Sequence, residues 1–109
     1  MVAPDAGDII WIDFNPQSGH EQAGKRPALV LSPRIYNQKS SLILCCPITS
    51  KVKGHSTEVR VKTRSIDGAV LCGHVKSLDW RARRASFIEQ APPLVVDQTK
   101  SIIATLLQI

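Results

Sequence analysis

Aromatic side chains are scarce in this chain: Phe, Trp and Tyr make up 5 % of it, so aliphatic residues must fill whatever core it has. Long apolar runs are missing too. The longest, Ser41 to Ile48, falls far below the ~18 residues that a membrane-crossing helix needs. Basic residues are absent from the first 14 positions, where Asp5, Asp8 and Asp13 stand instead, which argues against a secretory signal and predicts a cytoplasmic location. Cysteine occurs three times, as Cys45, Cys46 and Cys72, with no C-x-x-C spacing. An odd count without a regular pattern excludes a disulfide framework. Cys45 and Cys46 are neighbours on an expected strand and so point to opposite faces. His20, His55 and His74 are not at metal-ligand spacing. The cysteines therefore read as small buried groups in a reducing compartment, and the sequence calls for neither metal nor other cofactor. Repeats, low-complexity stretches and linkers are also absent.

What is present suits one globular domain spanning residues 1–109, with 43 % hydrophobic and 21 % charged residues. The net charge is +5. It is unevenly spread: Lys51, Lys53, Arg60, Lys62 and Arg64 face Glu58 alone, and Lys76, Arg81, Arg83 and Arg84 face Asp79 alone. Such stripes suit a polyanionic partner, either nucleic acid or an acidic protein. A solubilising surface accounts for the charge equally well.

Apolar periodicity predicts strands at 9–14 and at 28–31 after Pro27, a short helix to about Gln38 capped by Ser32 with Pro33 in its first turn, and a third strand over 41–48 closed by Pro47. Thr57, Val59 and Val61 alternate with charged residues, the pattern of a half-buried strand. Asp67-Gly68 predicts a hairpin turn, followed by one long strand from Ala69 to Leu78 with a bulge at Gly73, and then a strand over 83–89. After Pro92-Pro93 the period becomes helical, with Val95, Thr99, Ile102, Ile103, Leu106 and Leu107 on one face. Short strands joined by turns and closed by one helix imply a small barrel rather than βαβ units.

The segment Gly19-His20-Glu21-Gln22-Ala23-Gly24-Lys25-Arg26 matches the front of a phosphate-binding loop. Arg26, however, replaces the Ser or Thr that would ligate Mg²⁺, and a strand follows where a helix is required, so a nucleotide-triphosphate site is rejected. An arginine at a strand start beneath a polar loop still offers a planar five-donor fork to a phosphate. Thr49, just past the third strand, can donate to a phosphate oxygen or cap a turn. His74 and Lys76, two apart on the expected strand, would share a face, where His74 either moves protons, reads a base edge or is structural. Phe14, ending its strand, is the better base-stacking candidate, and Trp11 is expected in core or interface packing.

Four segments together resemble the MazF/PemK family: Gly7 to Pro16, Gly19 to Ser32 with its Glu-Gln-x-Gly-x-Arg-Pro block, Cys46-Pro47-Ile48-Thr49, and Val75-Lys76-Ser77-Leu78-Asp79. They recur in family order over nearly the whole chain. The resemblance implies a mainly β fold, an SH3-related CcdB/PemK-like barrel with a short helix and a C-terminal helix. It implies the toxin of a type II toxin–antitoxin module, a homodimer that cleaves single-stranded RNA at specific sequences without metal or ribosome. It assigns catalysis to Arg26, Thr49 and Glu21 and places position 74 near the RNA; with the residue reading, RNA contacts are expected of Phe14, His20, Lys25, His74 and Lys76. The implied partners are RNA, a MazE-like antitoxin with an acidic flexible tail, and operator DNA through the antitoxin complex. Gly73-His74 stands where relatives often carry Asp-Gln, which bears on the recognised sequence and on the proton-transfer scheme. A gyrase-binding toxin of the same fold is disfavoured, because this chain ends Leu107-Gln108-Ile109 and lacks a C-terminal Trp-Gly-Ile. A non-catalytic nucleic-acid-binding barrel is permitted by composition but disfavoured by Arg26 and Thr49.

Overall fold

The computed structural model describes residues 2–16, 19–20 and 23–109. Three strands carry the architecture: β1 (Asp8–Asp13), β2 (Lys25–Val30) and β3 (Leu42–Thr49), each antiparallel to the next. They alternate apolar residues on both faces, so each side of this curled sheet buries a core. Ile10, Ile12, Ala28, Val30, Ile43 and Cys45 join Phe14, Leu78 and Trp80 in one cluster. Their neighbours Ile9, Leu29, Cys46 and Ile48 join Val59, Val61, Val70, Cys72 and Val95 in the other. The adjacent cysteines are thus divided between the two cores, as strand geometry requires. All three are free and buried. Burial pushes the Cys45 thiol up to about 12 and raises those of Cys46 and Cys72 as well.

The remaining strands are β4 (Glu58–Lys62), β5 (Asp67–Leu71), β6 (Lys76–Asp79) and β7 (Ser86–Gln90), in the sheet order β4-β5-β3-β2-β1-β7 with β6 also on β3. The expected long strand over 69–78 is broken by a 3-10 turn, Cys72–His74. Below the break β6 pairs with β3 up to Cys45, and above it β5 pairs with β3 from Ile48. Pro47 therefore stands inside β3, where the strand passes from one partner to the other, rather than ending it.

Asp67-Gly68 is not a hairpin turn: both residues pair within β5, opposite Lys62 and Val61. Gly68 is required by crowding, since a Cβ there would lie 2.2 Å from the Thr49 carbonyl oxygen. The strand expected from Arg83 starts at Ser86. Before it Asp79 Oδ1 accepts the N–H groups of Arg81 and Ala82, and Arg84 has φ +52°, which folds residues 80–85 into a tight turn.

Helix α1 (Arg34–Ser40) has Pro33, not Ser32, at its N-cap. The Ser32 hydroxyl instead donates to Asn37 Oδ1 at 2.6 Å and accepts Leu44 N–H at 2.9 Å. Asn37, fully buried, donates to the carbonyls of Pro4 and Ser32 and accepts the Trp80 indole N–H, so the interior polar groups here are satisfied. Helix α2 (Pro93–Leu107) lies against β4 and the 3-10 turn. Val95 and Thr99 face inward, but Leu106 and Leu107, expected on the same face, are exposed because the helix runs past the sheet. The sheet edges β4 and β7 do not pair, and the curled sheet is a half-barrel. A hydrogen bond from Thr63 to Glu89 spans the edges. No helix among the described residues is long and apolar enough to cross a membrane.

Candidate nucleic-acid interface

Arg26 is the second residue of β2 and Thr49 the last of β3. Ala28 pairs with Pro47 between these strands, and the same register continued by two residues brings Arg26 level with Thr49. Both then lie on the face that carries Ala28, Val30, Ile43 and Cys45, just beyond the end of that core. Two rigid strands thus deliver a guanidinium and a hydroxyl to one rim.

Arg26 is half-buried, and its Nε and Nη2 donate to the carbonyl of Ala23 at 2.9 and 2.7 Å. That contact aims the fork and occupies two of its five N–H groups. Thr49 is 7 % exposed, and its Oγ1 accepts the Lys51 N–H at 3.1 Å. The hydroxyl caps the turn after β3, and its own proton can still be given to an acceptor in the groove. The capping reading of Thr49 is thus seen directly, and it leaves the hydroxyl proton for the phosphate reading.

The groove they border has a volume of about 500 Å³. His20, Ser50, Lys51, Lys53, His55 and His74 also line it. Glu58 lies in the same wall, and its Oε1 accepts the N–H groups of Lys53 and Gly54 at 3.1 and 3.0 Å, which pins the loop after β3. All three histidines of the chain meet here, although their spacing in sequence gave no sign of it. Ser50, His55 and Glu58 were not singled out as site residues. A residue-type motif has no means of finding them, because Ser50 and His55 reach the groove through the loop that follows β3 and Glu58 from the start of β4.

His74 ends the 3-10 turn, so it and Lys76 do not share one strand face as expected. His74 and His20 also line a second hollow of about 370 Å³ with Pro47, Val75, Lys76 and Ser77. Lys25 lines a third, of about 380 Å³, with Arg26, Ser50 and exposed Trp11. The first hollow shares His20 and His74 with the second, and the two make one basic trough; the third meets it at Arg26 and Ser50 but opens on the other face of β2, where Lys25 and Trp11 point. Phe14 is not part of the trough. It is fully buried in the core with Trp80 and Leu78, because the last position of its alternating pattern points inward, so it cannot stack on a base. Trp11, expected in core or interface packing, is 42 % exposed on the opposite face of β1. Glu21 lies outside the described residues. Among the described residues, no three His, Cys, Asp or Glu side chains are grouped to hold a metal ion.

Comparison with known proteins identifies the family and the fold. Residues 5–107 match the family model of the PemK-like, MazF-like toxins of type II toxin–antitoxin systems. The chain belongs to that family. Its relatives include the endoribonuclease toxin MazF of Escherichia coli strain K12, 52 % identical over 83 residues that span 76 % of this chain and 75 % of the relative. The crystal structure of MazF from Deinococcus radiodurans superposes with a TM-score of 0.95 at 45 % identity, covering 98 % of each chain. A MazE–MazF structure from the same organism gives 0.88 at 45 % identity, covering 98 % of this chain and 97 % of the other. The mainly β fold with two helices is that of these MazF toxins.

Proposed function

We propose that the basic trough binds single-stranded RNA and that Arg26 and Thr49 cleave it without a metal ion. The chain is an endoribonuclease toxin of a type II toxin–antitoxin module. The observation that supports the finer reading is the convergence of Arg26, Thr49 and three histidines on one groove. In the proposed reaction the ribose 2′-oxygen attacks the adjacent phosphorus in line. Its proton passes to a base, the bond from phosphorus to the 5′-oxygen breaks, and that oxygen takes up a proton. The products are a 2′,3′-cyclic phosphate and a 5′-hydroxyl.

The Arg26 fork neutralises the charge that builds on the non-bridging oxygens, and the Thr49 hydroxyl donates to one of them. A guanidinium is a poor proton acceptor, so the base is sought among the other groups at the groove. Glu21 and His74 are the candidates from the sequence; Glu58 and His55 join them from the structure. His20, Lys25, His74 and Lys76 contact the RNA. We further propose a homodimer with RNA crossing between protomers, and an antitoxin whose acidic tail competes for the same groove. The toxin would reach operator DNA only through that complex.

The test is to incubate the wild type and Arg26→Ala with a long single-stranded RNA in EDTA and map the ends. Discrete cuts with 5′-hydroxyl ends, slowed about a hundredfold or more in Arg26→Ala, are expected. Wild type that binds RNA but leaves it intact in EDTA would overturn the metal-free reading. Undiminished cleavage by the variant would remove Arg26 from the chemistry.

A further inference from the structure

Arg83 lies far along the chain from Arg26, in the tight turn between β6 and β7, and it lines none of the three hollows. Its guanidinium is nevertheless directed at the loop that ends in Arg26. Nη1 donates to the carbonyl of Asp13 at 2.9 Å and to that of Asn15 at 2.6 Å. Those carbonyls are where β1 runs out and the loop begins. The loop is closed at the same level from its other side. Asn15 Oδ1 accepts the Gly24 N–H at 2.9 Å, and the Gly24 carbonyl accepts the Phe14 N–H at 2.9 Å. One residue before Gly24 is Ala23, whose carbonyl receives both prongs of Arg26.

The contacts form an unbroken series: Arg83 to Asp13 and Asn15, Asn15 to Gly24, and Ala23 to Arg26. Arg83 is itself held at both ends. Its N–H bonds the Asp79 carbonyl at 3.1 Å, and the Ala85 N–H that follows bonds the Trp80 carbonyl at 3.0 Å. Its charged side chain is among no ion pairs of the described residues and is spent on neutral carbonyls. A cation placed half-buried against two carbonyls at a loop neck fixes backbone position; solubility would be served by full exposure.

We propose that Arg83 is a positioning residue for cleavage: it clamps the neck of the loop after β1 and thereby sets the Ala23 carbonyl that orients the Arg26 fork. This rests on the reading of Arg26 as the group that stabilises the reacting phosphate. Misplacing such a group by about 1 Å is enough to cost up to a hundredfold in rate.

The experiment measures cleavage of a short fluorogenic RNA by the wild type, Arg83→Ala, Arg83→Lys and Asn15→Ala, each also combined with Arg26→Lys. Lysine at position 26 keeps the charge but cannot place two prongs on Ala23, so it makes cleavage independent of the clamp while leaving activity to measure. Arg83→Ala is expected to lower kcat about tenfold to a hundredfold with KM within about twofold of wild type. Arg83→Lys recovers part of the loss. In the Arg26→Lys background the same change has no further effect, the signature of two residues acting as one unit. Asn15→Ala, which breaks the neck without touching Arg83, shows the same dependence on Arg26 and stands in for Arg83→Ala if that variant does not fold. Equal losses in both backgrounds, or a raised KM at unchanged kcat, would overturn the proposal. If Arg26→Lys alone left the rate unchanged, it is the reading of Arg26 that would fall.

Discussion

At the residue scale, strand alternation decides what each side chain can do. Phe14 moved from an expected stacking position to the core because the sequence shows that a strand exists more clearly than which face its last residue takes, whereas exposed Trp11 leaves the core for the interface half of its expectation. Buried Phe14 belongs to the core, so Phe14→Ala should destabilise the protein by about 3–5 kcal/mol in urea unfolding. A change in RNA affinity with intact stability would restore it as a stacking residue. From local context Arg26 was legible as a cation at a strand start and Thr49 as a hydroxyl at a strand end, and it was the family resemblance that singled them out for catalysis. Their closeness was not legible, since it depends on the register of β2 against β3, and register is set by the whole hydrophobic pattern rather than by either residue.

At the element scale, the strands of the first half and the closing helix could be read from periodicity, because each is long and strongly patterned. The second half was harder. One apolar run from Ala69 to Leu78 became two strands and a 3-10 turn, because β3 must serve two partners and the chain beside it has to step from one to the other. Gly68 shows the same limit: its neighbour Asp67 made a turn the natural reading, whereas the cause is the approach of β3. Gly68→Ala forces β5 off the Thr49 carbonyl. It should therefore lower stability, by about 1–3 kcal/mol as for overpacking, and reduce cleavage together with it. Thermal unfolding and RNA cleavage on the same preparation check this; a fall in neither would mean that the strands separate without cost.

For the whole molecule, part of the positive charge gathers at the groove, while Arg60 and Lys62 pair with Asp67. Lys51 and Lys53 with Arg26 border the main groove, Lys76 lines the hollow beside it, and Lys25 lines the one on the other face of β2. RNA affinity should therefore fall as salt rises, with a log–log slope of about −0.7 for each phosphate neutralised on a single strand. Filter binding to a catalytically weakened Arg26 variant across a salt series measures it. A flat line would assign the charge to solubility alone. The uneven charge was visible in the sequence, but the gathering of part of it into one trough depends on the curl of the sheet.

The division of the site between strands and loops has a consequence for how such a toxin changes over generations. Arg26 and Thr49 are borne by β2 and β3, which both cores grip, while His20 and His55 stand on connecting loops and His74 on the 3-10 turn. On the proposed reading, a lineage can replace those three side chains, and with them the bases it favours, while the two strands stay as inherited. Its targets would then drift from one message to another, and its ability to cut would be passed on unaltered.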